Sequence, residues 1–249
     1  MPAVSGAGAD AAAALDAAVR DNAAWCDLVC SAAGVPTRTE PQLWTAVRRS
    51  PPLHPDAVTL APGASPELVL SRIDRGPGCS VKDSFRDLEL GPSGFRVLVD
   101  GTWIWHPAPP GRGAADRRAT VGRWAVVGPG DHPAWLAARA EPAGLPLPAL
   151  VHPSVRVVAD RDAAGIRAGA VLTVGPDGVG IGNLFVRRGD RAGAWPAVVR
   201  TAAGLAPGRP LFGWETGADL AAARAAGFRP VGQLRVWHVP AQRGDGADG

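Results

Sequence analysis

Residues 187–196 read RRGDRAGAWP, and this stretch gathers the side chains best suited to hold an anion: three arginines and two glycines ahead of a proline-led helix. Glycines let successive backbone N–H groups converge on one point, and the first turn of a helix leaves such groups unpaired. Asp190 opposes a phosphate there unless an arginine neutralises it, and the alternative is an ordinary solvated loop between a strand and a helix. Other reactive side chains are scattered. Cys26 and Cys30 lie one helical turn apart, but no second pair or nearby histidine completes a metal site. They and Cys79 are therefore expected as buried structural thiols. His54, His106, His132, His152 and His238 fall on separate elements without ligand spacing, so no metal is expected. No Gly-x-Ser-x-Gly and no cysteine–histidine arrangement marks a nucleophile.

These residues need a scaffold, and 249 residues suffice for one large domain or two small ones. A hydrophobic share of 46% with 20% charged residues is that of an ordinary globular chain. The net charge of +3 is small and the arginines are spread out, which argues against nucleic acid as partner. An anionic small molecule remains compatible. Lys82 is the sole lysine, and with Asp83 it is expected to form a surface ion pair rather than a second site. An odd cysteine count without an export signal fits a reduced, cytoplasmic setting, and no apolar run approaches the ~18 residues of a membrane span.

Apolar residues at helical spacing predict a helix over residues 10–34, ended by Gly34 and Pro36. LWTAVRRS, DAVTLAPG and CSVKDSF read as strands, and Ser65-Pro66 open a short helix. GFRVLVDGTWIWH reads as two strands turning at Asp100-Gly101. Residues 107–122, rich in Pro, Gly and charge, are expected to link two domains, 10–106 and 123–240, with a disordered tail at 241–249. After the linker come RWAVVG as a strand, a helix capped by Asp131, three antiparallel strands ending in VGIGNLFV, and the helix WPAVVRTAAGL. The strand PLFGWE, a helix stopped by Gly227 and a closing strand complete the chain.

The two halves echo each other. DSFRDLELGPSGFRVLVDGTWIWH at 83–106 and ETGADLAAARAAGFRPVGQLRVWH at 215–238 share Asp-Leu, then Gly-Phe-Arg, then Trp-His at similar spacing. Two copies of one supersecondary unit, packed sheet on sheet, are the expectation.

The order strand, helix, three strands, helix, strand, helix, strand over residues 123–239 resembles the GNAT superfamily of N-acetyltransferases, most specifically in PLFGWETGADLAAARAAGFRPVG. The resemblance implies an α/β (α+β) fold with a mixed, mostly antiparallel sheet flanked by helices, in two related halves of which the first is degenerate. It implies acetyl-CoA as cosubstrate and a small-molecule or peptide amine as acceptor, in a monomer or homodimer. The fourth and fifth strands of the family part to admit the pantetheine arm, and helix-start amides hold the diphosphate. Carried onto this sequence, the cofactor contacts are Leu184, Phe185, Val186, Arg188, Gly189, Arg191, Gly193, Ala194 and Trp195. The spacing of Gly189 and Gly193 departs from the family's phosphate loop. Asn183 and Glu215 would orient and deprotonate the amine, and Trp214, with Trp195, would line the acceptor pocket. The tyrosine that often protonates the leaving thiolate falls at Ala223, and the chain has no tyrosine at all. Glu215 also reads as a plain helix-start charge. Two rivals follow: a non-catalytic binding module of the same fold, and an interaction protein assembling through exposed tryptophans.

Overall fold

A computed structural model describes residues 6–109, 124–139 and 145–240, so most of the expected linker and the tail at 241–249 lie outside the described residues. The first half holds α1 (Gly6–Ala32), β1 (Thr37–Glu40), β2 (Leu43–Ala46), β3 (Ala57–Thr59), α2 (Pro66–Leu70), β4 (Ser80–Asp83) and β5 (Arg96–His106). The second holds β6 (Trp124–Val126), α3 (His132–Arg139), α4 (Leu147–Leu150), β7 (Val155–Asp162), β8 (Gly165–Val174) and β9 (Val179–Val186). It closes with α5 (Arg191–Leu205), β10 (Leu211–Glu215), α6 (Gly217–Ala225) and β11 (Arg229–His238). No helix among the described residues is long and apolar enough to cross a membrane.

All eleven strands form one sheet, ordered β1-β2-β3-β4-β11-β5-β10-β9-β8-β7-β6. This corrects the expected sheet-on-sheet packing: the halves join edge to edge, each lending its last strand to the other. β5 from the first half pairs with β10, and β11 from the second pairs with β4. The exchange follows the sequence echo. Matching Phe95 to Phe228 matches Gly101 to Leu234, and those two residues face each other in the antiparallel β5–β11 ladder. One residue off that matching, where the echo aligns Asp83 with Glu215, Thr102 opposite Glu215 corresponds to Arg235 opposite Asp83. The ladder is thus close to symmetric about Gly101 and Leu234.

Local chemistry supports the repeat. Gly94 and Gly227 both take left-handed backbone, with φ of 86° and 101°, and each is followed by a buried phenylalanine. Only glycine enters that region without strain, so each Gly-Phe turns the chain into its long strand and drops the ring into a core.

Asp100-Gly101 does not turn. β5 runs unbroken from Arg96 to His106 because β11 and β10 satisfy its two edges, and tertiary pairing overrides the local turn preference. Asp100 is held in the strand by Arg235, whose Nε lies 2.7 Å from its carboxylate, and by Arg86 at 3.2 Å. Gly101 has another use: a Cβ there would come within 2.9 Å of the Trp214 ring and 3.2 Å of Leu234.

Helices cover both faces. On one, α5 and α6 bury Trp195, Val198 and Ala223 against Val158, Ala170, Leu172 and Leu211. On the other, α3 sets Trp135 against Val157, Ala159 and Val171. That alternation along β7 and β8 is the period-2 pattern of a sheet buried on both sides. α1 crosses the middle of this second face, placing Ala18 and Val19 on Trp103 and Leu234, and Cys26 and Cys30 on Trp44 and Val58. The three thiols are buried and free, as expected. β1 and α4 had no strong sequence signal; β1 exists through its four-residue pairing with β2.

Replacing Gly101 with valine forces the added methyls into Trp214 and Leu234, and overpacking of this kind costs about 1–3 kcal/mol. Chemical denaturation should show a loss in that range, with a smaller loss for Gly101→Ala.

Candidate functional site

β9 and β10 run parallel and are paired only at Leu211–Val179 and Phe212–Gly180. Past that point they diverge. Residues 182–186 of β9 and 214–215 of β10 have no partner across the gap, so their facing backbone groups are unused. A bulge helps to open the fork: Val171 faces Gly182 and Gly169 faces Phe185, leaving Asn183 and Leu184 against a single residue of β8. Asn183 takes φ of 54°, a left-handed conformation that asparagine tolerates better than most residues.

The corresponding strands of the first half stay closed. β3 and β4 pair at Ala57–Val81 and Val58–Lys82, and the Thr59 hydroxyl then accepts the Ser84 N–H at 2.8 Å. The Asp83 carboxylate, the counterpart of Glu215, is fully buried and accepts from the backbone N–H groups of Phe85, Asp87 and Leu88. One half has an open fork; the other has a zipped one.

A cavity of about 410 Å³ sits at the open fork. Its floor is residues 180–185 of β9 and 213–215 of β10, and its walls include Asp21, Asn22 and Trp25 of α1, Lys82 of β4 and Trp103 of β5. Strand exchange is what brings Lys82 and Trp103, both from the first half, beside Trp214. Lys82 is no surface residue: it is 5% exposed, and its Nζ donates to Asn22 Oδ1 at 2.9 Å and lies 4.8 Å from the Trp214 ring centre. This overturns the expected Lys82–Asp83 ion pair, because β4 is an interior strand.

Burial shifts the acids and bases of the cavity. Glu215 is pushed up to about 8 by desolvation, with Asp219 adding to the rise and Arg191 opposing it. Asp21 is pushed up to about 7 by desolvation, partly offset by the hydroxyl of Thr173. His54 is driven down to about 4, first by desolvation and then by the charges of Lys82 and Arg139. Lys82 itself is lowered by desolvation. Among the described residues, no group of three histidines, cysteines, aspartates or glutamates is placed to hold a metal.

Solved structures share this architecture. A GCN5-related N-acetyltransferase from Kribbella flavida superposes with a TM-score of 0.58 at 15% identity, over 90% of this chain and 96% of that one. A protein described as a GNAT-family acetyltransferase from Novosphingobium aromaticivorans gives 0.54 at 16% identity, over 81% and 90%. A conserved protein of unknown function from Staphylococcus epidermidis gives 0.52 at 11% identity, over 83% and 95%. No family model matches the sequence, and no curated relative does. This chain has the GNAT fold.

Within that fold the expected residues separate into three groups. Asn183, Leu184, Phe185, Trp214 and Glu215 all line the cavity, and Val186 ends the unpaired run of β9. Arg188, Gly189, Arg191 and Gly193 surround the start of α5, where Arg188 pairs with Asp162 at 2.9 Å and Arg191 with Asp219 at 2.6 Å. Ala194 and Trp195 are buried, and the Trp195 ring packs edge-on against Phe228 in the core, so it lines no acceptor pocket. Asp190 is the N-cap of α5 and accepts from the N–H groups of Ala192 and Gly193. Ala223, the position of the missing tyrosine, is fully buried in the core cluster with Ile181 and Leu211 and does not line the cavity. Sequence reasoning missed Asp21, Asn22, Trp25 and His54 as cavity residues. The sequence does not single out Asp21, which is one of four aspartates in α1 with Asp10, Asp16 and Asp27.

Asp21 binds its proton more tightly in the folded chain than in the unfolded one, where the ordinary value is 3.8. The native state therefore carries the extra proton between about pH 4 and 7, and stability falls as pH rises through that window, by at most about 1.4 kcal/mol per unit. Urea titrations from pH 4 to 8 should show this slope reduced in Asp21→Asn.

Proposed function

We propose that the protein is an N-acetyltransferase that uses the open β9–β10 fork to bind acetyl-CoA and transfers the acetyl group to an amine in the adjoining cavity. The observation that carries this is the fork itself. Unpaired strand edges accept an extended amide chain as an added strand, which is what the pantetheine arm of CoA offers. The amides of Leu184, Phe185 and Val186 would hold that arm. Arg188, Gly189, Arg191 and Gly193, at or beside the start of α5, would hold the diphosphate through charge and backbone N–H groups, with Ala194 and Trp195 behind them anchoring that turn in the core. The first half is read as a copy whose closed β3–β4 pair admits no carrier.

Transfer is direct. A neutral amine attacks the thioester carbonyl, the C–N bond forms, the C–S bond breaks and CoA leaves as thiolate. Glu215, half-buried at the fork, takes the amine proton, and Asn183 orients the acceptor through its amide. With no tyrosine in the chain, water protonates the thiolate, whose pKa of about 8.5 lets it depart unaided. A base that titrates near 8 is mostly protonated at neutral pH, so kcat/KM should rise through pH 8. Glu215→Gln should lower kcat by about 10²–10⁴-fold, abolish that rise and leave acetyl-CoA affinity unchanged.

Asp190 favours a second reading, a binding module without turnover, because its carboxylate occupies two of the amides a diphosphate would use. Calorimetry separates the two. Acetyl-CoA should bind the wild type at micromolar to sub-millimolar concentration, and Asp190→Ala should bind it more tightly despite losing a helix cap worth about 1 kcal/mol. Absence of binding to both forms up to millimolar cofactor would rule out the transferase.

A further inference from the structure

Lys82 is a buried basic side chain for which the described residues supply no counter-ion. It is 5% exposed, lies on an interior strand and lines the cavity, yet no carboxylate among the described residues comes within ion-pair distance. Its neighbours are neutral: the Asn22 amide at 2.9 Å, and the rings of Trp214 and Trp103 with centres at 4.8 and 5.9 Å. The one acid beside it in sequence, Asp83, gives its carboxylate to three backbone N–H groups. An ammonium has three donors and Lys82 spends one on protein, so two remain for whatever fills the cavity. A buried amine without a counter-ion holds its proton weakly, as the lowered pKa of Lys82 shows, and an anion in the cavity would both accept from it and keep it charged.

The two acids of the cavity wall, Asp21 and Glu215, are pushed up to about 7 and about 8, so near pH 7 Asp21 is about half protonated and Glu215 mostly so. Arg139 adds a second positive side chain to the lining. Burial thus suppresses charge on Asp21, Glu215 and Lys82 alike, and what sets Lys82 apart is its position, in the cavity wall with no carboxylate of the described residues at ion-pair distance.

We propose that Lys82 is the carboxylate anchor of the acceptor site, so that the amine acetylated by this protein belongs to an amino acid with its carboxylate free. The carboxylate rests on the Lys82 ammonium, and the apolar body lies against the half-buried Trp214 ring. Trp214 joins the two ends of the site, since its ring supports Lys82 and the next residue along β10 is Glu215. This deepens the transferase reading and rests on it for the reaction, but the anchor itself needs no cofactor.

Equilibrium dialysis tests it without acetyl-CoA. Cofactor-free protein is dialysed against an equimolar mixture of the twenty amino acids and their carboxamides, and the retained compounds are identified by mass spectrometry. The expected result is retention of one or a few acids at least tenfold over the matching amides. That enrichment should vanish in Lys82→Met and persist in Lys82→Arg. An amide retained as well as its acid, no compound retained, or unchanged enrichment in Lys82→Met would each overturn the anchor. The acid–amide comparison stands on the wild type alone, so it holds even if a variant misfolds. Failure here with acetyl-CoA still binding leaves the transferase intact; retention of acids without acetyl-CoA binding leaves the anchor and removes the transferase.

Discussion

The β5–β11 ladder is the interaction on which the molecule depends. Each strand belongs by sequence to one half and by its second edge to the other, so the ladder cannot be lost without exposing β4 and β10 as well. Asp100 and Arg235 face each other beside its midpoint and are joined at 2.7 Å, and Gly101 makes room for Trp214 and Leu234. Because the halves exchange strands, the cavity wall is assembled from both: Lys82 and Trp103 from one, Trp214 and Glu215 from the other. Neither half alone encloses the site.

The halves share a plan and differ at one joint. In the first, two parallel strands remain paired as far as Lys82, and a threonine hydroxyl closes the end. In the second, pairing stops at Phe212, two positions short of Trp214, the counterpart of Lys82, and a bulge at Asn183 bends β9 away. The difference is chemical as well as geometric. Asp83 is spent on a loop and Glu215 is left facing a cavity, so two acids at matching places have unrelated tasks. A fork with unused amides on both sides is an unstable feature for a protein to keep without a ligand, since unpaired backbone groups must otherwise be met by water.

Much of this was legible in the sequence and some of it was not. The strand and helix order of the second half, the Gly227-Phe228 turn and the internal echo are local patterns, and local patterns survive folding. The Asp100-Gly101 pair misled because its turn preference is weaker than two full strand edges. Lys82 misled because a lone lysine beside an aspartate looks solvated, and only the sheet order shows that β4 is interior. Trp195 and Trp214 looked alike in sequence, yet one fills the core and one faces the cavity. Their faces are set by which side of the sheet α5 and α1 cover, and no short stretch encodes that. Asp21, Asn22 and Trp25 become site residues only because α1 crosses the sheet over the fork.

The central claim is that carrier binding belongs to the β9–β10 fork and to no other strand pair. Hydrogen exchange followed by mass spectrometry, with and without CoA, addresses it directly. The account expects CoA to slow exchange in peptides spanning residues 182–195 and to leave those spanning 57–59 and 80–84 unchanged. Unaltered exchange across 182–195 with CoA at saturation, or protection confined to β3 and β4, would contradict it.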